Sequence, residues 1–312
     1  MTSIVTLAHL SDVHLAPICG FGMPYWNVKR ILGYLNWQRG RVRIHQRRVA
    51  DLIAADIRAQ TPDHIAVTGD LANLGLPEEY RTARAWLEQL GPPDRVSAVP
   101  GNHDIYTGQL YGASCLTEWA PYMVSDTWGR ERAGLGGGFP YVRRLGPVAL
   151  IGVNSAIPTP PFVAAGRVGN NQITALESIL SRLNAEGLVR VVMIHHPPLP
   201  GQAPKRRALS DAGDLQAMLE RTGAELVLHG HNHTETMVQL HSVSGAVPVC
   251  GVASASAGLA HGDEPLARYA LYLFEPPVAG QTRLTIQRIS RGLKVADGEV
   301  VELARHEITA NV

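Results

Sequence analysis

The chain has little cysteine and no long apolar stretch. Its three cysteines, Cys19, Cys115 and Cys250, are odd in number and lack the spacing of metal ligands, so we expect neither a disulfide framework nor a cysteine metal site. No run of about 18 apolar residues occurs, and the first residues do not resemble a signal peptide. These absences, with so little cysteine, predict a cytoplasmic protein without a membrane span.

Neither positive nor negative charge is in clear excess, because the formal net charge is +1 at pH 7. A balanced charge provides no general attraction to nucleic acid or to a membrane, so either partner would need a local basic patch. With 312 residues, of which 45% are hydrophobic, the chain is long enough to bury a large core. We find no repeat and no linker, and we therefore predict one domain over residues 1–312.

Short β-branched runs alternate with helical periodicity along the first three quarters of the chain. Strands are predicted at 4–10, 64–68, 96–99, 148–153, 189–194 and 226–228, with helices through 49–57, from Pro77 to Gly91, through 173–183 and through 215–219. The β-α-β-α-β order predicts parallel strands whose carboxyl ends meet at one edge of a sheet. From about residue 237 the chain is predicted to be β-rich, with strands near 247–252, 269–274 and 284–289.

Polar clusters stand at the ends of five of these strands. They are Asp12 and His14 in SDVH, Asp70 in TGD, Asn102 to Asp104 in GNHD, His195 and His196 in IHHPP, and His231 and His233 in HGHNH. In D-x-H and H-x-H, alternation along an extended chain would put both side chains on the same face. One such residue is usually a turn residue, but five clusters at successive strand ends predict a metal site. Oxygen and imidazole donors without cysteine suit manganese, iron, zinc or cobalt.

The motifs D-x-H, GD, GNHD, HHPP and GHNH, in that order from Asp12 to His233, resemble those of the calcineurin-like metallophosphoesterases. The resemblance implies an α/β fold, a four-layer α/β/β/α sandwich of two mixed sheets flanked by helices. It also implies two transition-metal ions as cofactors, with manganese expected and iron or zinc as alternatives. One ion would be bound by Asp12, His14 and His233, the other by Asn102, His195 and His231. Asp70 would bridge the ions through its two oxygens, and a hydroxide between them would attack phosphate.

In that family the histidine equivalent to His103 is not a metal ligand. The resemblance implies that His103 faces the substrate, where it stabilises the developing charge or protonates the leaving alkoxide, while Asp104 holds its ring. A histidine that caps the turn is the alternative. His196 either contacts the substrate or the metal-binding side chains, or it has only a packing role. Asn73 stands where purple acid phosphatases have a tyrosine ligand, so we expect no tyrosinate-bound ferric ion and treat Asn73 as a candidate substrate contact.

A basic aromatic insert at about 18–44 follows the first cluster. No acidic residue occurs from Val13 to Ala50, and the stretch contains Lys29, Arg30, Arg39, Arg41, Arg43, Arg47 and Arg48 with Phe21, Tyr25, Trp26, Tyr34 and Trp37. Four interpretations stay open: a peripheral membrane contact through 21–43, a nucleotide or sugar-phosphate pocket, a nucleic-acid groove, or a packed lid or dimer contact. Arg206 and Arg207 similarly either clamp a distal phosphate or lie in solvent. The oligomeric state is not indicated.

The segment GDLANLGLPEEY resembles the bacterial phosphodiesterase branch, which includes class III cyclic nucleotide phosphodiesterases and glycerophosphodiesterases. We therefore predict a phosphodiesterase acting on a small soluble diester of one of these classes. The second hypothesis is a pyrophosphatase acting on an amphiphilic lipid precursor similar to UDP-diacylglucosamine. A nuclease ranks third, because the net charge is low for one. The last is a non-catalytic metal-binding scaffold, although such members typically lose ligands that this chain keeps.

Overall fold

The computed structural model describes residues 4–107, 114–133, 138–275 and 283–311. The described strands form two six-stranded mixed sheets, and the major helices flank them, as the resemblance implied. The first sheet has the strand order β12-β11-β10-β1-β2-β3. Its strands are β1 (Val5–Leu10), β2 (His64–Val67), β3 (Val96–Ala98), β10 (Arg268–Glu275), β11 (Arg283–Leu293) and β12 (Val300–Asn311).

The second sheet has the order β4-β5-β6-β7-β9-β8. It consists of β4 (Tyr141–Leu145), β5 (Val148–Gly152), β6 (Val189–Met193), β7 (Leu226–His229), β8 (Thr236–Ser242) and β9 (Gly245–Gly251). Strands β5, β6, β7 and β9 run parallel to their neighbours in that group, whereas β4 and β8 are antiparallel edge strands.

The helices predicted from periodicity are confirmed, and the insert contains a further helix. The helices are α1 (Val28–Asn36), α2 (Val42–Ile44), α3 (Arg47–Ala59), α4 (Pro77–Leu90), α5 (Cys115–Glu118), α6 (Thr127–Ala133), α7 (Asn170–Ala185) and α8 (Ala212–Thr222). A π-helical turn (Trp37–Arg41) joins α1 to α2, and 3-10 turns lie at Met23–Tyr25 and Ala120–Tyr122. Across the described ranges, no helix is both long enough and apolar enough to cross a bilayer.

The predicted parallel pairing of the first three strands is confirmed. Strand β1 pairs in parallel with β2 and β2 with β3, with Leu10 beside Val67 and Val67 beside Ala98. The carboxyl ends of these strands therefore lie at one edge of the first sheet. In the second sheet, the parallel strands β6 and β7 likewise bring their carboxyl ends together, with Met193 beside Leu228.

The main core lies between the two sheets, and side-chain alternation explains how β6 contributes to it. Val191 and Met193 belong to the core cluster shared with the first sheet, whereas Val192 and Ile194 pack with residues of α7 and α8. A strand buried on both faces reads as a continuous apolar run, because each face needs its own apolar side chains. The apolar pattern of this strand was therefore visible in the sequence.

Three strands that the sequence did not predict, β4, β8 and β12, are all edge strands. In β8 the side chains of Met237 and Val238 are exposed, and in β12 polar residues alternate with apolar ones. An edge strand with one solvated face lacks the continuous apolar run by which the inner strands were recognised.

Candidate metal centre

Seven predicted ligands meet in one buried cluster where the strand ends of the two sheets face each other. The first sheet contributes Asp12 and His14 after β1, Asp70 after β2 and Asn102 after β3. The second contributes His195 after β6 and both His231 and His233 after β7. The fold thus gathers side chains that are far apart in the sequence.

Asp12, His14 and His233 form the first donor group. Asp12 Oδ1 lies 3.3 Å from His233 Nε2 and 3.9 Å from His14 Nε2. The two Nε2 atoms are 3.3 Å apart. Three donor atoms this close, all in buried residues, could bind one cation together.

The second donor group surrounds His195 Nε2. This nitrogen lies 3.1 Å from His231 Nδ1, 3.2 Å from Asn102 Oδ1 and 3.4 Å from Asp70 Oδ2. The group combines two imidazoles, one amide oxygen and one carboxylate, a donor set suited to a divalent transition metal.

Asp70 connects the two groups through one oxygen. Its Oδ2 lies 3.4 Å from His195 Nε2 and 3.8 Å from His14 Nε2. Its Oδ1 instead accepts a hydrogen bond of 2.7 Å from the backbone N–H of His103. The geometry therefore differs from the expected bridge, in which each ion would take a separate oxygen.

Hydrogen bonds fix the orientation of three of the imidazoles. The Nδ1 atom lies 3.3 Å from Ala72 O in His14, 2.7 Å from Thr68 O in His195 and 2.9 Å from Glu264 Oε2 in His233. Because an oxygen acceptor requires the ring proton at Nδ1, each ring in its neutral form presents the lone pair of Nε2 to the cluster. Histidines that bind metals are held in this way. Glu264 was not predicted, since no motif surrounds it.

Two buried donor atoms at the centre have no hydrogen-bond partner among the described residues, Asp12 Oδ1 and His231 Nε2. A buried carboxylate oxygen without a donor is unfavourable. A bound cation would supply the missing interaction at Asp12, so the residues present fit metal ions.

The electrostatics of the cluster also favour positive charge. Burial alone would raise the pKa of Asp70, but the neighbouring His195 and His103 hold that pKa well below its usual range. Burial lowers the pKa of His195, yet the Asp70 carboxylate raises it overall to about 9. Burial acts likewise on His233, where Asp12 and then Glu264 raise the pKa to about 9. Either a proton or a metal ion can supply positive charge beside the carboxylates, and the two compete for the same donor atoms.

The backbone at five of the predicted ligands is left-handed. The φ angles are 54° at Asp12, 40° at His14, 55° at Asp70, 70° at His231 and 55° at His233. The extended-chain interpretation of the D-x-H and H-x-H pairs is therefore wrong, because left-handed residues interrupt the extended backbone beyond the strand ends. For L-residues the left-handed region costs about 1–2 kcal/mol per residue, which the surrounding contacts must offset.

Two glycines allow the Asp70 turn and the GNHD turn to touch. Gly69 has a φ of 94°, which favours glycine. A Cβ atom on Gly101 would lie 2.1 Å from Asp70 Oδ1. The absence of side chains at both positions brings Asp70 next to Asn102.

The role expected for Asp104 is wrong. Its carboxylate does not hold the ring of His103, because it accepts three backbone N–H groups, from Asp70, Ala72 and Gly101, each at 2.8 Å. Burial and then the nearby Asp70 carboxylate raise the pKa of Asp104 to about 8, while the N–H groups of Ala72 and Gly101 act to lower it. Asp104 is therefore a positioning residue, whose hydrogen bonds connect the loop that contains Asp70 to the GNHD loop.

His103 is held by Asn73 rather than by Asp104. The His103 Nδ1 atom donates to the carbonyl oxygen of Asn73 at 2.6 Å. The side-chain amide of Asn73 donates in turn to Leu15 O at 3.0 Å. Burial and the Arg41 guanidinium lower the pKa of His103 to about 4. Its ring is half-buried and lines a cavity next to the cluster.

His196 and the two arginines after HHPP lie at the margin of the centre. His196 bonds Ser155 Oγ through Nδ1 at 2.8 Å and Ala164 O through Nε2 at 3.2 Å, while its ring packs against His231. Arg207 donates to the carbonyl of His231 at 2.8 Å, whereas Arg206 is exposed. The structure thus brings Arg207, but not Arg206, to the centre.

The insert packs on the loops of the centre. Arg30 is buried and donates to Leu74 O at 3.0 Å and to Gly75 O at 2.7 Å. Lys29 donates to Tyr106 O at 2.7 Å. The sequence marked both residues as basic without indicating that they bind backbone carbonyls.

A cavity of about 510 Å³ opens between the insert and the centre. Asn102 and His103 line its inner end, and α1 with the π-helical turn forms one wall. Four cationic side chains and no acidic one line it, namely Lys29, Arg39, Arg41 and Arg207. The charge of the cavity therefore suits an anionic ligand.

Two residues of the centre besides Glu264 were missed by sequence reasoning. The ring of His45 lies 4.5 Å from that of His14, and its Nδ1 bonds Ser256 Oγ at 2.9 Å. The guanidinium of Arg41 reaches His14 and His103. Arg41 was noted only as one cation of the insert, and His45 stands alone after it, so no local signal set either apart.

Comparisons with known proteins agree with this geometry. The family model of the calcineurin-like phosphoesterases matches residues 5–235. A glycerophosphodiester phosphodiesterase, GpdQ, from Enterobacter lignolyticus is 28% identical over 241 residues, which is 75% of this chain and 72% of that protein. A protein from Synechococcus named "probable cyclic nucleotide phosphodiesterase" is 27% identical over 191 residues, 59% of this chain and 63% of that protein. The structure of a dimetal phosphatase from Danio rerio has the same fold, with a TM-score of 0.56, 14% identity and 98% of each chain covered.

The replacement Asp104→Ala should destabilise the protein, because it leaves three buried N–H groups without their acceptor. We expect a loss of about 3 kcal/mol in the free energy of unfolding, measured by urea denaturation. Asp94→Ala, at an exposed position before β3, is the control and should change little. Equal stability of the two variants would contradict the assigned role.

Proposed function

This chain belongs to the calcineurin-like phosphoesterase family and is a phosphoric ester hydrolase, and on that premise we propose that it hydrolyses small phosphodiesters with two bound metal ions. The substrate class is a cyclic nucleotide or a glycerophosphodiester, as the names of its two curated relatives suggest. One observation supports this most directly: the buried donor cluster adjoins a cavity lined by cations and by no acidic side chain.

The two donor groups would divide the ions between them. Asp12, His14 and His233 would hold the first, and Asn102, His195 and His231 would hold the second. The Oδ2 atom of Asp70 lies nearest to both groups. Such ions supply Lewis-acid polarisation of phosphoryl oxygens and a water acidic enough to attack near neutral pH. Manganese is the ion we propose, with iron or zinc as the alternatives, because oxygen and imidazole donors without thiolate suit each of these ions.

The chain's own residues would position the diester. His103 has Nδ1 fixed by Asn73 O, so Nε2 is the atom that would face the substrate, and it would have to take up a proton before it could donate to a phosphoryl oxygen or to the leaving alkoxide. Arg207 lines the same cavity and would bind the charge of the substrate. The cavity is bounded by the insert, which favours a small ligand over a nucleic-acid groove.

We also propose a cytoplasmic location. The three cysteines are unpaired thiols, and two of them, Cys115 and Cys250, are buried. Free thiols are typical of reducing compartments.

Replacing Asp70 tests the shared ligand. Asp70→Ala should lower manganese affinity and the rate of bis-p-nitrophenyl phosphate hydrolysis by at least about 100-fold, because both donor groups lose the same carboxylate. Metal content by elemental analysis and kcat by absorbance provide the measurements, with Asp94→Ala as the control. The manganese-loaded parent should prefer cyclic nucleotides or glycerophosphodiesters to nucleic acid. Undiminished turnover by Asp70→Ala would refute the shared ligand.

His103→Ala should retain metal and lose rate. We expect kcat to fall by about 10²–10⁴-fold, as for groups that stabilise charge or transfer a proton in the transition state. The matched control is His241→Ala, at an exposed position on β8. A parent-like kcat in His103→Ala would remove this residue from the mechanism.

An amphiphilic substrate is the second candidate, and an exposed apolar stripe favours it. Helix α1 exposes Val28, Ile31 and Leu35 at 67%, 38% and 43%, and Trp26 at 56% extends the stripe. Leu35 also lines the cavity, so apolar surface continues from the cavity to the outside. A phosphate ester with a hydrocarbon chain could lie along it, as a UDP-diacylglucosamine-like lipid or a membrane surface contact would require.

The stripe predicts a chain-length effect. If the candidate is right, the KM of dodecyl p-nitrophenyl phosphate should be below that of the methyl ester. Val28→Ser with Ile31→Ser should raise the KM of the dodecyl ester by about tenfold and leave that of the methyl ester unchanged, because lost apolar burial weakens only the long chain. Val243→Ser on the exposed β8–β9 hairpin is the control. Equal KM values for both esters in the parent would favour the small soluble diester.

A further inference from the structure

Arg41 reaches the centre from the insert. It ends the π-helical turn, a rare conformation that is frequent at functional sites. Its guanidinium donates from Nη2 to His14 Nε2 at 2.9 Å and from Nη1 to His103 Nε2 at 3.0 Å. Arg41 thus spans a predicted metal ligand and the residue expected to face the substrate.

The partners of Arg41 are weak for a guanidinium. Both are imidazole nitrogens, and among the described residues no carboxylate forms an ion pair with Arg41. Arg30, by contrast, binds the carbonyls of Leu74 and Gly75 and holds the insert in place. A planar guanidinium binds two oxygens of a phosphate more strongly, because both hydrogen bonds are charge-assisted. A dianionic or monoanionic phosphate group would therefore be a better partner than the two rings.

The contact with His14 has a further implication. The Nε2 atom has one lone pair, and under the proposed function that lone pair binds a metal ion. Arg41 and the ion therefore compete for the same atom. With an ion bound at His14, the guanidinium would leave that ring, and its Nη2 N–H would then be free for an anion while Nη1 stays beside His103 at the inner end of the cavity.

We propose that Arg41, which the insert places at the centre, binds the phosphate group of the substrate. We also propose that Arg41 weakens metal binding, because it occupies His14 Nε2 when no ion is bound there. The inference rests on the proposed function and identifies one residue that nothing in the family motifs marks. It also gives the insert a definite role, because without the packed insert no cation of this region would reach His14.

The replacement Arg41→Met tests both parts. It removes the charge and the competitor for His14 while keeping an unbranched side chain. We expect the dissociation constant of manganese, from titration calorimetry, to fall by about tenfold, since a nearby positive charge is lost. We expect kcat/KM for bis-p-nitrophenyl phosphate to fall by about 100-fold, as on loss of one transition-state donor. The inhibition constant of inorganic phosphate should rise by about tenfold.

The opposite signs separate this role from a structural one, since a damaged centre would lose metal and activity together. Arg43→Met, an exposed position two residues on, should leave all three quantities unchanged. Arg41→Lys keeps the charge without the planar fork, so its activity should lie between those of the parent and Arg41→Met. Circular dichroism checks that each variant is folded.

The results distinguish the two proposals. Weaker manganese binding by Arg41→Met, or an unchanged kcat/KM and phosphate inhibition constant, would overturn the role of Arg41. A parent protein that neither binds manganese nor hydrolyses any diester would instead overturn the proposed function, and with it the premise of this inference.

Discussion

Two buried carboxylates, Asp12 and Asp70, impose the main constraint on this structure. Together with His195 they bring their donor atoms within 4.8 Å of one another, where water does not screen their like charges. Each uses one oxygen for a backbone N–H, that of His231 at 2.9 Å and that of His103 at 2.7 Å. The other oxygen of each points inward to the imidazoles. Two buried carboxylates so close together are tolerated only where positive charge is supplied. The surrounding loops hold the imidazoles that can carry or bind that charge.

The sequence predicted the location of this centre because the relevant rule is local. A β-α-β-α-β order makes parallel strands, and parallel strands place the residues that follow them at one edge. Asp12, Asp70 and Asn102 each follow such a strand directly, so their proximity followed from strand order alone. His195 and His231 followed in the same way from the second sheet. The reason given for the D-x-H pair was nonetheless wrong, since left-handed backbone at both residues, and not an extended strand, orients its side chains.

The parts that the sequence did not predict depend on contacts between distant segments. Glu264 is 31 residues from His233, and no pattern links them. Asp104 was assigned to the neighbouring ring of His103 because proximity in sequence favoured it. In the folded loops the carbonyl of Asn73 is nearer to that ring, and three N–H groups surround the carboxylate. Strands β8 and β12 escaped prediction for a different reason, namely that their exposed or polar side chains interrupt the apolar pattern.

The left-handed turns at the centre have a consequence for how this protein evolves. At His14, a glycine would adopt the observed φ of 40° without steric penalty. Such a change would delete a donor and at the same time relax the chain, so folding and chemistry favour opposite residues at this position. Selection for stability alone would erode the centre, and imidazole persists there only as long as the reaction benefits the cell.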